Sequence, residues 1–422
     1  MENALLVGLN VGNEAEAKYA MDELRSLAEA CEYEVSGIVL QTLEHPVPAT
    51  YIGSGKITEI SEIEENMGID CVIFEDTLSP VQLKNLQKSL KAKVMDRTGL
   101  ILEIFSKRAR TREAKLQVES ANLQYMMPRL IGMWEAIGRQ GGASGSKSNK
   151  GVGETQLELD RRWIQKRITE VKRELDAIEH DRDIQRRKRE KGRLPLVALV
   201  GYTNAGKSTI MNRLIGKSDS GAEGKLVFEK DMLFATLDTS VRRIETGNRK
   251  DFLLSDTVGF LDKLPHSLIK AFRSTLDEIK YADLLVEVVD MSDDKHDEQM
   301  RVTMETLREL GAETIPCIHV MNKADKCDEV IEYPRISGDR IYISAASGVG
   351  IDELIELIQQ RVYEDNTIEE YLIPYNAGAA VNDFNEKARV LKCEYRNDGV
   401  YIMADVPMYL KGQYSRYEIG SE

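Results

Sequence analysis

Leu196-Val197-Ala198-Leu199-Val200, followed by Gly201-Tyr202-Thr203-Asn204-Ala205-Gly206-Lys207-Ser208-Thr209, decides the fold. The unbroken apolar run reads as a strand buried on both faces. Residues 201–208 fit GxxxxGK[ST], and a helical pattern follows them. Strand, glycine-rich turn and helix together make a phosphate-binding loop. Its glycines let backbone N–H groups turn inward around phosphate oxygens. The helix N-terminus adds the positive end of its dipole. Lys207 is placed to reach the β- and γ-phosphates, and Ser208 to ligate Mg2+.

Downstream segments repeat the pattern of a buried strand followed by polar residues. Asp256-Thr257-Val258-Gly259 follows the strand Phe252 to Ser255. Asp256 suits an outer-sphere hold on a Mg2+ water, and the Gly259 N–H suits the γ-phosphate. Asn322-Lys323-Ala324-Asp325 follows Cys317 to Met321 and selects the base. An Asp325 carboxylate accepts from two guanine donors that adenine lacks, and a carboxylate left unpaired would be costly. Ser344-Ala345-Ala346 follows Ile341 to Ile343 and can present a backbone N–H to guanine O6. The expected ligands are therefore GTP and GDP with Mg2+. The expected reaction is hydrolysis of the terminal phosphoric anhydride.

Between the first two boxes, Phe234-Ala235-Thr236-Leu237-Asp238 reads as a switch segment. Thr236 is the expected second Mg2+ ligand, with Thr239 and Thr257 as alternatives. Lys207, Thr236, Asp256 and Gly259 are thus the expected catalytic groups. Phe260 stands where some GTPases carry a water-orienting glutamine, and a phenyl ring cannot orient water by hydrogen bonding. Slow unassisted hydrolysis is expected. Asn204 either ligates a monovalent cation, K+, beside the β/γ bridge or stabilises the loop.

The remaining chain divides by pattern. Residues 1–110 alternate strands with helices and predict a small, largely parallel α/β domain. Strands are expected at Leu5 to Val11, Val35 to Gln41, Cys71 to Glu75 and Lys93 to Asp96, with helices at Glu14 to Ala30 and Ser79 to Leu90. Residues 111–192 carry helical repeats: Leu116, Leu123 and Met127, then a seam of Ile164, Ile168, Val171, Leu175 and Ile178. They predict an antiparallel hairpin whose second helix starts in the Thr155–Glu158 capping box. Residues 132–153 hold seven glycines and read as a long loop, with Arg129, Arg139, Lys147 and Lys150 as its positive charge. Residues 193–364 form the nucleotide domain, and residues 365–422 a small domain ordered strand, helix, strand, strand.

The net charge is −14, which argues against a general nucleic-acid binder. Residues 105–195 nevertheless hold 22 Lys and Arg against 13 Asp and Glu. A basic arm on an acidic body suggests a local polyanion contact, here RNA. Five cysteines without a CxxC pair suit a reducing compartment. The start, Met1-Glu2-Asn3-Ala4, lacks a signal peptide's basic region, and no apolar run is long enough to span a bilayer. A cytoplasmic monomer is expected.

Several motifs resemble the HflX family of the Obg–HflX group of GTPases. They include Tyr51-Ile52-Gly53-Ser54-Gly55-Lys56, Phe74-Glu75-Asp76-Thr77-Leu78-Ser79-Pro80-Val81-Gln82 and Asp96-Arg97-Thr98. They continue with Gly153-Glu154-Thr155-Gln156-Leu157-Glu158, Asp160-Arg161-Arg162 and Ser274-Thr275-Leu276. The resemblance implies a Ras-like P-loop GTPase domain joined to an N-terminal α/β domain, a long helical hairpin and a small α+β C-terminal domain. It implies a factor that binds the large ribosomal subunit through ribosomal RNA, splits or rescues stalled or stressed ribosomes, and is stimulated by them. Lys150-Gly151-Val152-Gly153 stands where the family usually has Arg-Gly-Pro-Gly, so a bidentate arginine contact is lost. Alternatives are a regulatory switch acting through protein partners, or an RNA-remodelling factor. The latter would use a second nucleotide site around Gly53 to Lys56, a stretch that otherwise reads as a turn before a helix.

Overall fold

A computed structural model describes residues 2–140, 148–192, 194–217, 234, 240–247, 250–257, 259–261, 276–327 and 332–419. The chain divides into two compact units: residues 1–180 with 230–238 and 261–275, and residues 181–229 with 239–260 and 276–422.

The first unit opens as β1 (Glu2–Asn10), α1 (Glu14–Ala30), β2 (Tyr33–Thr42), α2 (Ser54–Met67), β3 (Cys71–Phe74), α3 (Pro80–Ser89), β4 (Lys93–Asp96) and α4 (Arg97–Arg108). The four strands form one parallel sheet in the order β2-β1-β3-β4. Its core holds Leu5, Val7, Ile60, Val72, Phe74 and Leu86. Gly53 is the N-cap of α2, so Gly53 to Lys56 opens a helix, and Ser79 with Gln82 closes a capping box on α3.

Asp96 is the hub of this unit. It is fully buried and caps α4 by accepting from Gly99 N at 2.8 Å. It also accepts from Leu78 N at 2.9 Å, Tyr125 Oη at 2.6 Å and Arg129 Nη2 at 2.7 Å. The Arg129 guanidinium stacks 3.4 Å from the Tyr125 ring centroid. Arg129 was expected to lend charge to a loop that meets RNA. Here it is inside α5 (Arg112–Gln140) and occupied by Asp96.

The hairpin forms, with a shorter connection than the glycines suggest. α5 reaches Gln140 and α6 (Ser148–Gly192) begins seven residues before Thr155, so Thr155 lies within a helix instead of capping it. Only residues 141–147 separate the two helices, and they lie outside the described residues. Glycine weakens a helix by about 1 kcal/mol per residue but does not forbid it. Arg112 pairs with Glu174 at 2.7 Å and Arg167 grips Glu119 at 2.5 and 2.8 Å, which fixes the helices antiparallel. Ile164 and Val171 of the expected seam are buried. Phe234 also belongs to this unit, where its buried ring meets Phe105 of α4 edge-on at 4.8 Å between centroids.

The second unit is built on a seven-stranded sheet, ordered β10-β11-β9-β8-β5-β7-β6. The strands are β5 (Leu196–Val200), β6 (Ser240–Ile244), β7 (Phe252–Asp256), β8 (Leu284–Asp290), β9 (Cys317–Asn322), β10 (Arg335–Ser337) and β11 (Arg340–Tyr342). The central pairings are parallel and the two edge pairings, β6 with β7 and β10 with β11, are antiparallel. α7 (Lys207–Lys217), α8 (His296–Leu310) and α9 (Ile351–Val362) alternate with the strands. One apolar cluster packs Val197, Leu199, Val286 and Val320 against α7 and α9; another packs Ala198, Val200 and Leu285 against α8. Apolar residues on both parities of β5 explain its unbroken run.

The chain closes with β12 (Thr367–Ile373), α10 (Gly378–Lys387), β13 (Arg389–Arg396), β14 (Gly399–Val406) and α11 (Met408–Tyr414). The strands form an antiparallel sheet, β12-β14-β13, over a core of Tyr371, Phe384, Ile402 and Leu410.

Candidate nucleotide-binding site

β5 lies between β7 and β8, so successive crossovers leave it in opposite directions. Such a switch point opens a crevice beyond the strand ends. Gly201 follows β5, Asp256 ends β7, Asn322 ends β9 and Ser344 follows β11, which brings all four boxes to that edge.

The phosphate loop is shaped by two glycines. Gly201 and Gly206 have φ of 132° and 100°, where an L side chain is strained. A Cβ on Gly201 would lie 2.3 Å from the Val288 carbonyl oxygen, and one on Gly206 2.2 Å from Asn322 Nδ2. Asn204 sits at φ 62°, a left-handed conformation that asparagine tolerates. Tyr202 and Phe260 bridge the loop to the segment after β7: Thr203 N donates to Phe260 O at 2.8 Å, and Phe260 N to Gly201 O at 3.1 Å. The Phe260 ring joins the apolar cluster of Ala198, Val200, Leu276 and Ile279. It fastens the loop and does no polar chemistry.

Lys207 is buried and donates to the carbonyl oxygens of Gly201 at 2.9 Å and Tyr202 at 2.5 Å. Burial pushes its pKa down to about 8, against the opposing pull of Asp256. An ammonium has three donors, so one remains for a phosphate oxygen. Gly259 approaches so closely that a Cβ there would lie 3.0 Å from Lys207 Nζ and 2.8 Å from Thr203 Cγ2. The Ser208 hydroxyl lies 3.3 Å from Asp256 Oδ2, and the Asp256 side chain is fully buried. A hydroxyl beside a buried carboxylate at a helix start suits a hard divalent cation such as Mg2+. The Thr257 hydroxyl donates to Leu199 O at 2.6 Å inside the sheet. Ala235, Thr236, Leu237, Asp238, Thr239 and Val258 lie outside the described residues.

At the other end, Asn322 ties two boxes together. Its Nδ2 donates to Ala205 O at 2.8 Å and its Oδ1 accepts from Ala345 N at 3.0 Å. Asp325 stands exposed in the turn Ala324–Lys326, where a base edge could meet its carboxylate. Lys323, at φ 62°, pairs with Asp290 at 2.6 Å. Arg213 holds the last box by donating to Ala345 O at 3.0 Å and to Ala346 O. Sequence reasoning missed Arg213 and Asp290. Arg213 acts across more than a hundred residues of chain, and no local pattern marks it.

Three family models cover most of the chain: "GTP-binding GTPase N-terminal" over residues 18–106, "GTP-binding GTPase Middle Region" over 108–189 and "50S ribosome-binding GTPase" over 196–323. The GTPase HflX of Caldanaerobacter subterraneus subsp. tengcongensis is 40% identical over 97% of this chain and 92% of its own length. The chain belongs to the HflX family of GTPases. HflX of Lacrimispora saccharolytica is 42% identical over 97% of this chain and 94% of its own length. The Escherichia coli HflX is 38% identical over 90% and 87%, respectively. A GTP-binding protein of Sulfolobus solfataricus, solved with GDP, is 26% identical over 86% of this chain and 99% of that one, with a TM-score of 0.46. Like other HflX GTPases, this protein is a GTP-hydrolysing enzyme. Among the described residues, no helix is long and apolar enough to cross a membrane.

The lowered Lys207 pKa has a measurable sign. A phosphate anion beside the ammonium favours the charged form and raises the pKa of the bound state. Where the free lysine is partly neutral, near and above pH 8, binding must take up protons. Calorimetry of GTP binding at pH 8.5 in buffers of different ionisation enthalpy should show net uptake, shrinking towards zero at pH 6.5. Uptake independent of pH, or net release at pH 8.5, would contradict this reading.

Proposed function

We propose that this HflX GTPase uses Mg2+-dependent GTP hydrolysis to act on the large ribosomal subunit, splitting or rescuing stalled ribosomes. In this reading Lys207 and the N–H groups of residues 201–209 cradle the phosphates. Ser208 and Thr236 hold Mg2+, Asp256 orders its water, and Gly259 N–H meets the γ-phosphate. Asp325 reads guanine, supported by Lys323, Ala324 and residues 344–346. The observation that carries the ribosomal part is the match of residues 196–323 to the family described as "50S ribosome-binding GTPase". The basic excess of residues 105–195 supports an RNA contact as the means of docking.

Co-sedimentation with 50S subunits tests the proposal. Binding should be stronger with a non-hydrolysable GTP analogue than with GDP. It should weaken steeply with salt, because Lys and Arg contacts to phosphate release counterions. Replacing Arg139, Lys147 and Lys150 together with alanine should lower affinity, and should reduce the log–log salt slope by about 2 to 3. Arg129 is left out of that set because Asp96 occupies it. No sedimentation with subunits in any nucleotide state would remove the ribosomal role. Normal sedimentation of the triple variant at every salt concentration would move docking elsewhere in the chain.

A further inference from the structure

The second unit carries a group of side chains that nucleotide chemistry leaves unused. Glu287 is the fourth residue of β8, and Cys317 and His319 are the first and third of β9. Glu287 is directly opposite His319 in the parallel register, and Cys317 is two residues from it, so all three project from one face of the sheet. Their Sγ, imidazole nitrogen and carboxylate oxygen lie within 4.8 Å of one another, the one such His, Cys and acidic group among the described residues.

A structural explanation accounts for part of this cluster. His319 Nδ1 and Glu287 Oε2 are 2.6 Å apart, an ordinary part-buried pair. It leaves the rest unexplained. Glu287 is fully buried and its second oxygen, Oε1, has no hydrogen-bond partner among the described residues. A buried acceptor left unsatisfied costs about 1–3 kcal/mol, more when it is charged. A cation would satisfy it. The imidazole keeps a quarter of its surface exposed, which gives an ion a way in.

We propose that Glu287, Cys317 and His319 form a binding site for a thiophilic divalent cation of the Zn2+ type. Thiolate, imidazole and carboxylate are the three ligand types that zinc accepts, with water as the fourth in an open tetrahedral site. Zinc bonds of about 2.0–2.3 Å place tetrahedral ligands about 3.3–3.8 Å apart, between the 2.6 Å of the His319–Glu287 pair and the 4.8 Å that bounds the group, so the side chains would adjust by up to about 1 Å. Binding would take the lone pair of one imidazole nitrogen, with the ring hydrogen carried on the other, and would drive one proton, that of the Cys317 thiol, to solvent. Burial raises the pKa of that thiol, and zinc takes the thiolate, so metal binding is what releases its proton. Mg2+ prefers oxygen ligands and should not compete.

Co2+ titration of the full-length protein with excess Mg·GDP present is the test. One equivalent should bind with a near-ultraviolet thiolate-to-cobalt charge-transfer band, and Zn2+ should displace it. The band distinguishes this site from the nucleotide cation site, which contains no thiol. Cys317→Ser should abolish the band and weaken Zn2+ binding about 100-fold or more, as measured with a chromophoric chelator. His319→Asn should do the same if Cys317→Ser folds poorly, and GDP binding reports folding in both. Absence of a band, or a band that survives either substitution, overturns the assignment.

Discussion

Asp325→Asn is expected to lower GTP affinity by about 10²–10⁴-fold and to move base preference towards xanthine. Two hydrogen bonds to a charged acceptor contribute about 1.5–3 kcal/mol each, and every 1.4 kcal/mol is tenfold. The amide of the variant keeps one acceptor but sets a donor against a guanine donor, so the loss exceeds that of a missing bond. Xanthine offers an oxygen where guanine has its 2-amino group, and that oxygen accepts from the new amide. The exposed position of Asp325 in the turn Ala324–Lys326 means that the substitution disturbs no packing. Calorimetric titration with GDP and with xanthosine diphosphate should therefore show opposite changes at unchanged thermal stability. Unchanged GDP affinity would show that another group reads the base.

Asp96→Ala is expected to destabilise the first unit by about 3–5 kcal/mol. Removing one member of a buried ion pair leaves the other charged, desolvated and alone. Here the abandoned partner is the Arg129 guanidinium, only 13% exposed. The same substitution removes the cap of α4 and the acceptor of Leu78 N and Tyr125 Oη. Urea unfolding of the full-length protein should show the shift in the transition assigned to this unit. The second unit's transition, followed through nucleotide protection, should stay in place. Adding Arg129→Met should recover part of the loss, because the stranded charge is gone. A shift below 1 kcal/mol would mean that Asp96 is not the hub its contacts suggest.

Much of this was legible in the sequence because the signals were local. Glu14–Ala30, Lys93–Asp96 and Leu196–Val200 have the bounds that their patterns predict. The four nucleotide boxes could be placed because each follows an apolar run. The glycine count misled over residues 132–140 and 148–153, which are helical despite the low helix propensity of glycine. Arg129 misled for a different reason: its charge looked free because its partner, Asp96, is thirty-three residues earlier. The Glu287–Cys317–His319 group was invisible for the same reason, since strand register brings it together.

Asn322 gives the site a temporal character. Its amide links Ala205 and Ala345, and the missing side chain of Gly206 leaves the space it occupies. The proposed base-binding ledge is therefore held by the protein's own hydrogen bonds, so little ordering would remain to be done on encounter. Arrival rates of the right and wrong bases should then be alike. The protein would tell them apart by how long each one stays.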